Sequence, residues 1–102
     1  MYIVAHVIEE GRGCILDDRH EYINADYIEK IVPEDIHLKE HDVHVYYVYI
    51  HMHAGDVYKI QRDSYLDAIE FINNLLDSKV AGTEFLKFPD DAKFKLCSRY
   101  AG

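Results

Sequence analysis

The sequence predicts an α+β fold, in which an antiparallel β-meander of about five to six strands carries one amphipathic helix on a face. Two observations support this prediction. Short runs of β-branched and aromatic residues alternate with polar residues and are separated by turn residues. One later segment, residues 64–77, instead repeats its apolar residues at helical spacing. The chain of 102 residues has the usual length of one domain, so residues 1–102 are expected to form a single domain.

The N-terminal third of the chain is typical of short strands separated by turns. We expect strands over residues 2–8 and 14–16, joined by a glycine-containing turn over residues 9–13. The polar residues 17–20 are predicted to bend the chain before a short strand over residues 21–23. A turn or a single helical turn is expected next, at Asn24-Ala25-Asp26.

A proline is predicted to divide the next segment. Residues 27–32 form an apolar run that we expect Pro33 to stop, because proline has no N–H to donate. Residues 33–42 are charged, with isolated Ile36 and Leu38, and we expect an exposed loop there.

A hairpin rich in tyrosine and histidine is predicted from residues 43–53 and 57–61, with Gly55 in its turn. Side chains alternate across a strand, so a two-residue turn groups one face as Tyr47, Tyr49, His51, His53, Tyr58 and Ile60. A three-residue loop would break this grouping. The opposite face of the long strand carries Tyr46, Val48, Ile50 and Met52, and it is predicted to be either covered core or a surface for self-association.

The helix prediction rests on a capping signal and a stripe. Ser64 with Asp67 forms a capping-box-like start. The apolar stripe contains Tyr65, Ala68, Ile69, Ile72, Leu75 and Leu76, and the opposite stripe contains Asp67, Glu70, Asn74 and Asp77. Residues 85–88 are apolar. Residues 93–100 alternate and are predicted to form a last strand, with a short helix capped by Asp90 or Asp91 as the alternative. In either case Lys93, Lys95 and Arg99 form the one clustered basic patch of the sequence.

Charge narrows the range of functions. The net charge is −8, and an acidic body repels phosphate backbones, which argues against ordinary nucleic-acid binding. It permits a basic partner, or mimicry of the charge of a nucleic acid.

The N-terminal segment lacks a basic region and a long apolar stretch, and the apolar run over residues 45–50 is too short to span a bilayer. We therefore expect a soluble, cytoplasmic protein without a membrane contact.

No catalytic signature occurs in the sequence: GxSxG, Walker A, GxGxxG and CxxC are all absent. Cys14 and Cys97 are expected to be reduced and half-buried. The leading hypothesis is a non-enzymatic protein that binds another protein or a second copy of itself. The candidate binding residues are Tyr46, Tyr47, Tyr49 and Tyr58 on the hairpin and Asp67, Glu70 and Asp77 on the helix.

Two alternatives stay open beside this hypothesis. The first is an acidic inhibitor from a phage or mobile element that occupies a basic nucleic-acid groove through the helix carboxylates, with Glu9 and Glu10. The second is a metal-binding protein: His51 and His53 lie on one predicted strand face with Asp56 nearby, a donor set that suits Zn²⁺. The exposed, uncoordinated state is the expected one, so no cofactor is predicted.

Two segments together resemble the FlbD-like family of small bacterial proteins. Residues 22–31, YINADYIEKI, are similar to the central stretch of that family, and residues 55–60, GDVYKI, followed by Ser64 and a helix, are similar to its glycine-turn hairpin and final helix. The resemblance covers roughly residues 20–76 and implies a β-meander with one helix. The motif carries no functional residues of the family over to this chain.

Overall fold

The computed structural model describes residues 1–11 and 13–98, and this part of the chain forms seven strands, one α-helix and one short 3₁₀ turn. The predicted α+β class is confirmed. The strands are β1 (Tyr2–Gly11), β2 (Cys14–Asn24), β3 (Ile28–Leu38), β4 (Val43–Met52), β5 (Val57–Arg62), β6 (Phe85–Lys87) and β7 (Lys93–Ser98). The helix α1 spans Tyr65–Val80, and the 3₁₀ turn spans Ala25–Tyr27.

The strands form one mixed sheet in the order β2-β1-β7-β5-β4-β3, with β6 also paired to β1. The predicted antiparallel meander is wrong, because β1 runs parallel to both β6 and β7. After α1 the chain returns beside its own first strand, and β7 then lies between the β1–β2 hairpin and the β3–β4–β5 meander. The last strand therefore joins two antiparallel units into one sheet.

Two segments predicted to be irregular are strands instead. β2 continues through residues 17–20, where Arg19 lies among neighbouring carboxylates: its Nη1 is 3.0 Å from Glu9 Oε2 and 2.5 Å from Asp17 Oδ2. β3 continues through Pro33 to Leu38, so the predicted loop over residues 33–42 shortens to a turn at residues 39–42. Pro33 is tolerated because β3 is an edge strand, where a missing N–H costs no ladder bond.

The β4–β5 hairpin has a three-residue loop rather than the two-residue turn assumed from the sequence. The amide of Met52 donates to the carbonyl oxygen of Asp56 (2.8 Å), and residues 53–55 form the loop. Gly55 has a φ of 102°, a conformation that favours glycine. The register pairs Ile50 with Tyr58, so the predicted grouping of Tyr58 and Ile60 with Tyr49 and His51 is wrong.

The helix begins as predicted and ends three residues later than residue 77. The Ser64 hydroxyl accepts the amide of Asp67 at 3.0 Å, which caps α1. Its buried residues are Ala68, Phe71 and Leu75. Tyr65 and Leu76 of the predicted apolar stripe are instead exposed.

The core lies between α1 and the face of the sheet that it covers. Phe94 of β7 is fully buried at its centre, with its ring 5.9 Å from the rings of both Phe71 and Phe88. The strands contribute Ile3, Ala5, Val7, Ile23, Val48, Ile50, Tyr58 and Ile60 to this core. Arg99 and Tyr100, which the sequence assigns to the last strand and the basic patch, lie outside the described residues.

Candidate functional site

The sheet has one covered face and one open face. α1 contacts β3, β4 and β5 on the side where Val48 and Ile50 are buried. Tyr47, Tyr49 and His51 alternate with these residues and therefore project to the other side. Among the described residues, no helix or further strand packs on that side. We call it the open face, and it is the first candidate binding surface.

A depression of about 190 Å³ lies on the open face where β1, β7, β5 and β4 adjoin. Its floor includes Ile8, which is only 6% exposed although it lies outside the core cluster. We call it the lysine depression, because its described lining residues are Ile8, Glu10, Tyr47, Lys59, Gln61, Lys93 and Lys95. Three lysines thus face one glutamate in a protein whose net charge is −8.

Two of the three lysine side chains of this depression are held in defined positions. Lys59 Nζ lies 4.0 Å from the centroid of the Tyr47 ring, a cation–π contact. Lys95 Nζ lies 2.8 Å from Glu10 Oε2, and this hydrogen bond raises the pKa of Lys95. Lys59 and Lys95 are direct partners in the β5–β7 ladder. The sequence indicated Lys93 and Lys95, but it did not reveal Lys59, because only the strand pairing brings β5 beside β7.

The two predicted tyrosines of the open face lie together. The rings of Tyr47 and Tyr49 are 6.0 Å apart at 52°, and both are half-buried. Burial raises the pKa of the Tyr49 hydroxyl, and the Glu34 carboxylate raises it further. This pair and the lysine depression share Tyr47 and form one continuous surface.

The other two candidate tyrosines lie on the covered face. Tyr58 is 7% exposed, and its ring meets Phe94 edge-on at 6.1 Å, so it is a core residue rather than a surface contact. Tyr46 is half-buried on the same side, with its ring 6.1 Å from that of His44. The predicted self-association face of Tyr46, Val48, Ile50 and Met52 is therefore wrong, since Val48 and Ile50 are at most 1% exposed beneath α1.

The acidic candidates are spread along α1. Glu70 and Asp77 are exposed, and Asp67 is half-buried. Asp67 and Glu70 border a depression of about 290 Å³ that also contains Arg62. The two further carboxylates of this hypothesis are in ion pairs, Glu9 with Arg19 and Glu10 with Lys95. Of the carboxylates named for charge mimicry, those on the helix therefore carry this hypothesis.

The two predicted zinc ligands lie in different elements. His51 is half-buried on the open face in β4, whereas His53 is exposed in the loop after that strand. The chain as described contains no group of three or more His, Cys, Asp or Glu side chains arranged to hold a metal ion. Other histidines pair with carboxylates: His37 and His44 stack at 4.4 Å, and each lies 2.9 Å from its own aspartate, Asp42 and Asp35.

Cys14 and Cys97 are free, but both are exposed rather than half-buried as predicted. In the described part of the chain, neither helical segment has the length and hydrophobicity needed to cross a lipid bilayer.

Comparison with known proteins gave no match among family models, curated proteins or solved structures. The resemblance to the FlbD-like family stays a prediction.

Proposed function

We propose that this protein is a non-enzymatic binding protein that holds an acidic segment of another protein on the open face of its sheet. The observation that supports the proposal is the lysine depression beside the Tyr47–Tyr49 pair. Exposed apolar surface and aromatic rings are typical of protein-binding surfaces. Both features occur here within one surface, beside an excess of lysines.

Charge complementarity favours an acidic occupant. Lys95 forms an ion pair with Glu10, the one carboxylate in the described lining of the depression. The charges of Lys59 and Lys93 therefore leave the depression with an excess of positive charge. A carboxylate entering beside Lys59 and Lys93 would gain two charge-assisted hydrogen bonds. An apolar residue next to it would cover Ile8 and the ring of Tyr47.

A polypeptide suits this surface better than a nucleic acid does. The depression is short, and the rest of the molecule is acidic, so a phosphate backbone that extended beyond the lysines would meet repulsion. An acidic peptide places its charges only where its sequence does, and its apolar residues can contact Tyr47 and Tyr49.

The test uses fluorescence anisotropy with a labelled random copolymer of glutamate and tyrosine as the probe. A labelled single-stranded oligothymidylate, measured in the same way, represents nucleic acids. We expect saturable binding of the copolymer that weakens as salt is added. Lys59→Glu with Lys93→Glu should abolish it, whereas Glu70→Lys with Asp77→Lys on the helix should leave it intact or strengthen it. Circular dichroism checks that each variant is folded.

The same variants separate the proposal from its alternatives. Tighter binding of the oligothymidylate than of the copolymer would contradict a protein partner. A second test captures partners from native lysate. If the Glu70→Lys, Asp77→Lys variant loses a captured partner that the Lys59→Glu, Lys93→Glu variant retains, the proposal is overturned in favour of a charge-mimicking inhibitor.

A further inference from the structure

A cavity of about 370 Å³ opens at the edge of the sheet, away from the lysine depression. It lies where the C-terminal half of β2 approaches the β4–β5 loop across the 3₁₀ turn. Its volume falls in the range of small-molecule sites. Tyr22, Tyr27 and Tyr58 contribute its rings, Ile23 and Met52 its aliphatic wall.

We propose that this cavity binds a small organic cation of the alkylated ammonium class. Tyrosine rings present electron-rich faces that attract cations, and several rings around one space form the recognised cage for methylated ammonium groups. We call the cavity the tyrosine cavity, after Tyr22, Tyr27 and Tyr58. The aliphatic wall suits the methyl groups of such a ligand, which a hard metal ion or an inorganic anion lacks.

The charges around the tyrosine cavity match this ligand. Two carboxylates, Glu21 and Asp56, lie in its lining, and none of its described lining residues is a lysine or an arginine. Arg19 Nη2 lies 3.4 Å from Glu21 Oε2 and offsets part of the charge of that carboxylate. The contrast with the lysine depression is direct: one site of this molecule attracts carboxylates and the other attracts cations.

The cavity is held in shape before any ligand enters. The Tyr22 ring meets Phe85 edge-on at 6.0 Å, and the Tyr58 ring meets Phe94 in the same way at 6.1 Å. The amide of His53 donates to the carbonyl oxygen of Tyr27 (2.7 Å), which ties the β4–β5 loop to the 3₁₀ turn. Because these contacts hold two of the three rings and the loop backbone, less ordering free energy opposes binding than for a cavity without them.

The exposure of the rings assigns their roles. Tyr58 is 7% exposed and forms the inner wall, while Tyr22 and Tyr27 are 68% and 62% exposed and flank the opening. Substitution of Tyr27 therefore changes the cavity without disturbing the core. Tyr65, which is 53% exposed at the start of α1 and lies outside the cavity, offers a matched control.

The experiment is a two-dimensional NMR titration of the full chain with choline, and with its neutral isostere 3,3-dimethyl-1-butanol. We expect saturable shifts centred on residues 21–27 and 52–58 for choline, and at least about tenfold weaker binding of the neutral alcohol. Tyr27→Leu should weaken choline binding about three- to thirtyfold, Tyr27→Phe should restore it, and Tyr65→Leu should leave it unchanged.

Three results would overturn the proposal: no saturable shift with choline, equal affinity for choline and the alcohol, or unchanged affinity in a folded Tyr27→Leu variant. The outcome is independent of the proposed function, because no lysine of the open face lines this cavity.

Discussion

A substitution in β4 tests which side of that strand is buried under α1. Ile50 is 1% exposed and opposes Tyr58 under α1, whereas the next residue, His51, is half-buried on the open face. Ile50→Ala removes three buried carbons, at about 0.8 kcal/mol each, and leaves a cavity. We expect the free energy of unfolding to fall by about 3 kcal/mol, within the usual range of about 2–5 kcal/mol for this change.

The assay is urea unfolding followed by circular dichroism, with a thermal melt beside it. For an m-value of about 2 kcal/mol/M, the urea midpoint should fall by about 1.5 M, and the Tm should fall by about 12–24 °C. His51→Ala is the matched control, and it should cost less than about 1 kcal/mol. If His51→Ala proves as costly as Ile50→Ala, the assignment of Ile50 to the covered face of β4 and of His51 to the open face is wrong.

Four further predictions test separate parts of the structure. Ser64→Ala removes the cap of α1 and should cost about 1 kcal/mol in a thermal melt, with an unchanged fold. Gly55→Ala places a Cβ on a residue at φ 102° and should cost about 1–2 kcal/mol in urea unfolding, while a gain in stability would contradict the three-residue loop. Tyr49→Phe should remove the tyrosine that ionises at the highest pH in an ultraviolet absorbance titration, because the pKa of Tyr49 is raised. Folding favours the neutral form of Tyr49, so this contribution to stability is present at neutral pH and is lost as the pH rises through the raised pKa. Elemental analysis of protein purified without a His-tag should find less than stoichiometric zinc, and stoichiometric zinc lost in His53→Ala would contradict this expectation.

The sequence predicted the elements of this fold better than their order. Local signals were sufficient for the cap at Ser64, the helix and the long strand, because capping and periodicity are properties of neighbouring residues. Nothing local specifies that β7 inserts between β1 and β5, since strand order depends on contacts between residues far apart in the chain. The prediction that Pro33 ends its strand was wrong for the same reason. Proline interrupts a central strand but is tolerated at an edge, and edge position is a property of the whole sheet.

The hairpin face was mispredicted by one residue of loop length. Alternation fixes which residues of one strand share a face, so Tyr47, Tyr49 and His51 were grouped correctly on β4. Their relation to β5 depends on the loop, and changing from two residues to three moves Tyr58 from the open face to the core. β4 is apolar on both faces at its centre, so the hydrophobic pattern of that strand gave no preference between the two registers.

Neither candidate site follows from composition, because the mean charge of the chain conceals its distribution. Charges separated by more than about 8–10 Å are largely screened at physiological salt, so a ligand responds to its near neighbours rather than to the net charge of −8. Lys59, Lys93 and Lys95 come from two strands and attract anions at the open face. Tyr22, Tyr27 and Tyr58 come from β2, the 3₁₀ turn and β5, and their rings favour cations at the tyrosine cavity. A protein with this arrangement should bind acidic and cationic ligands at the same time, and saturating choline should leave the affinity for the glutamate–tyrosine copolymer unchanged, which a combined titration measures directly.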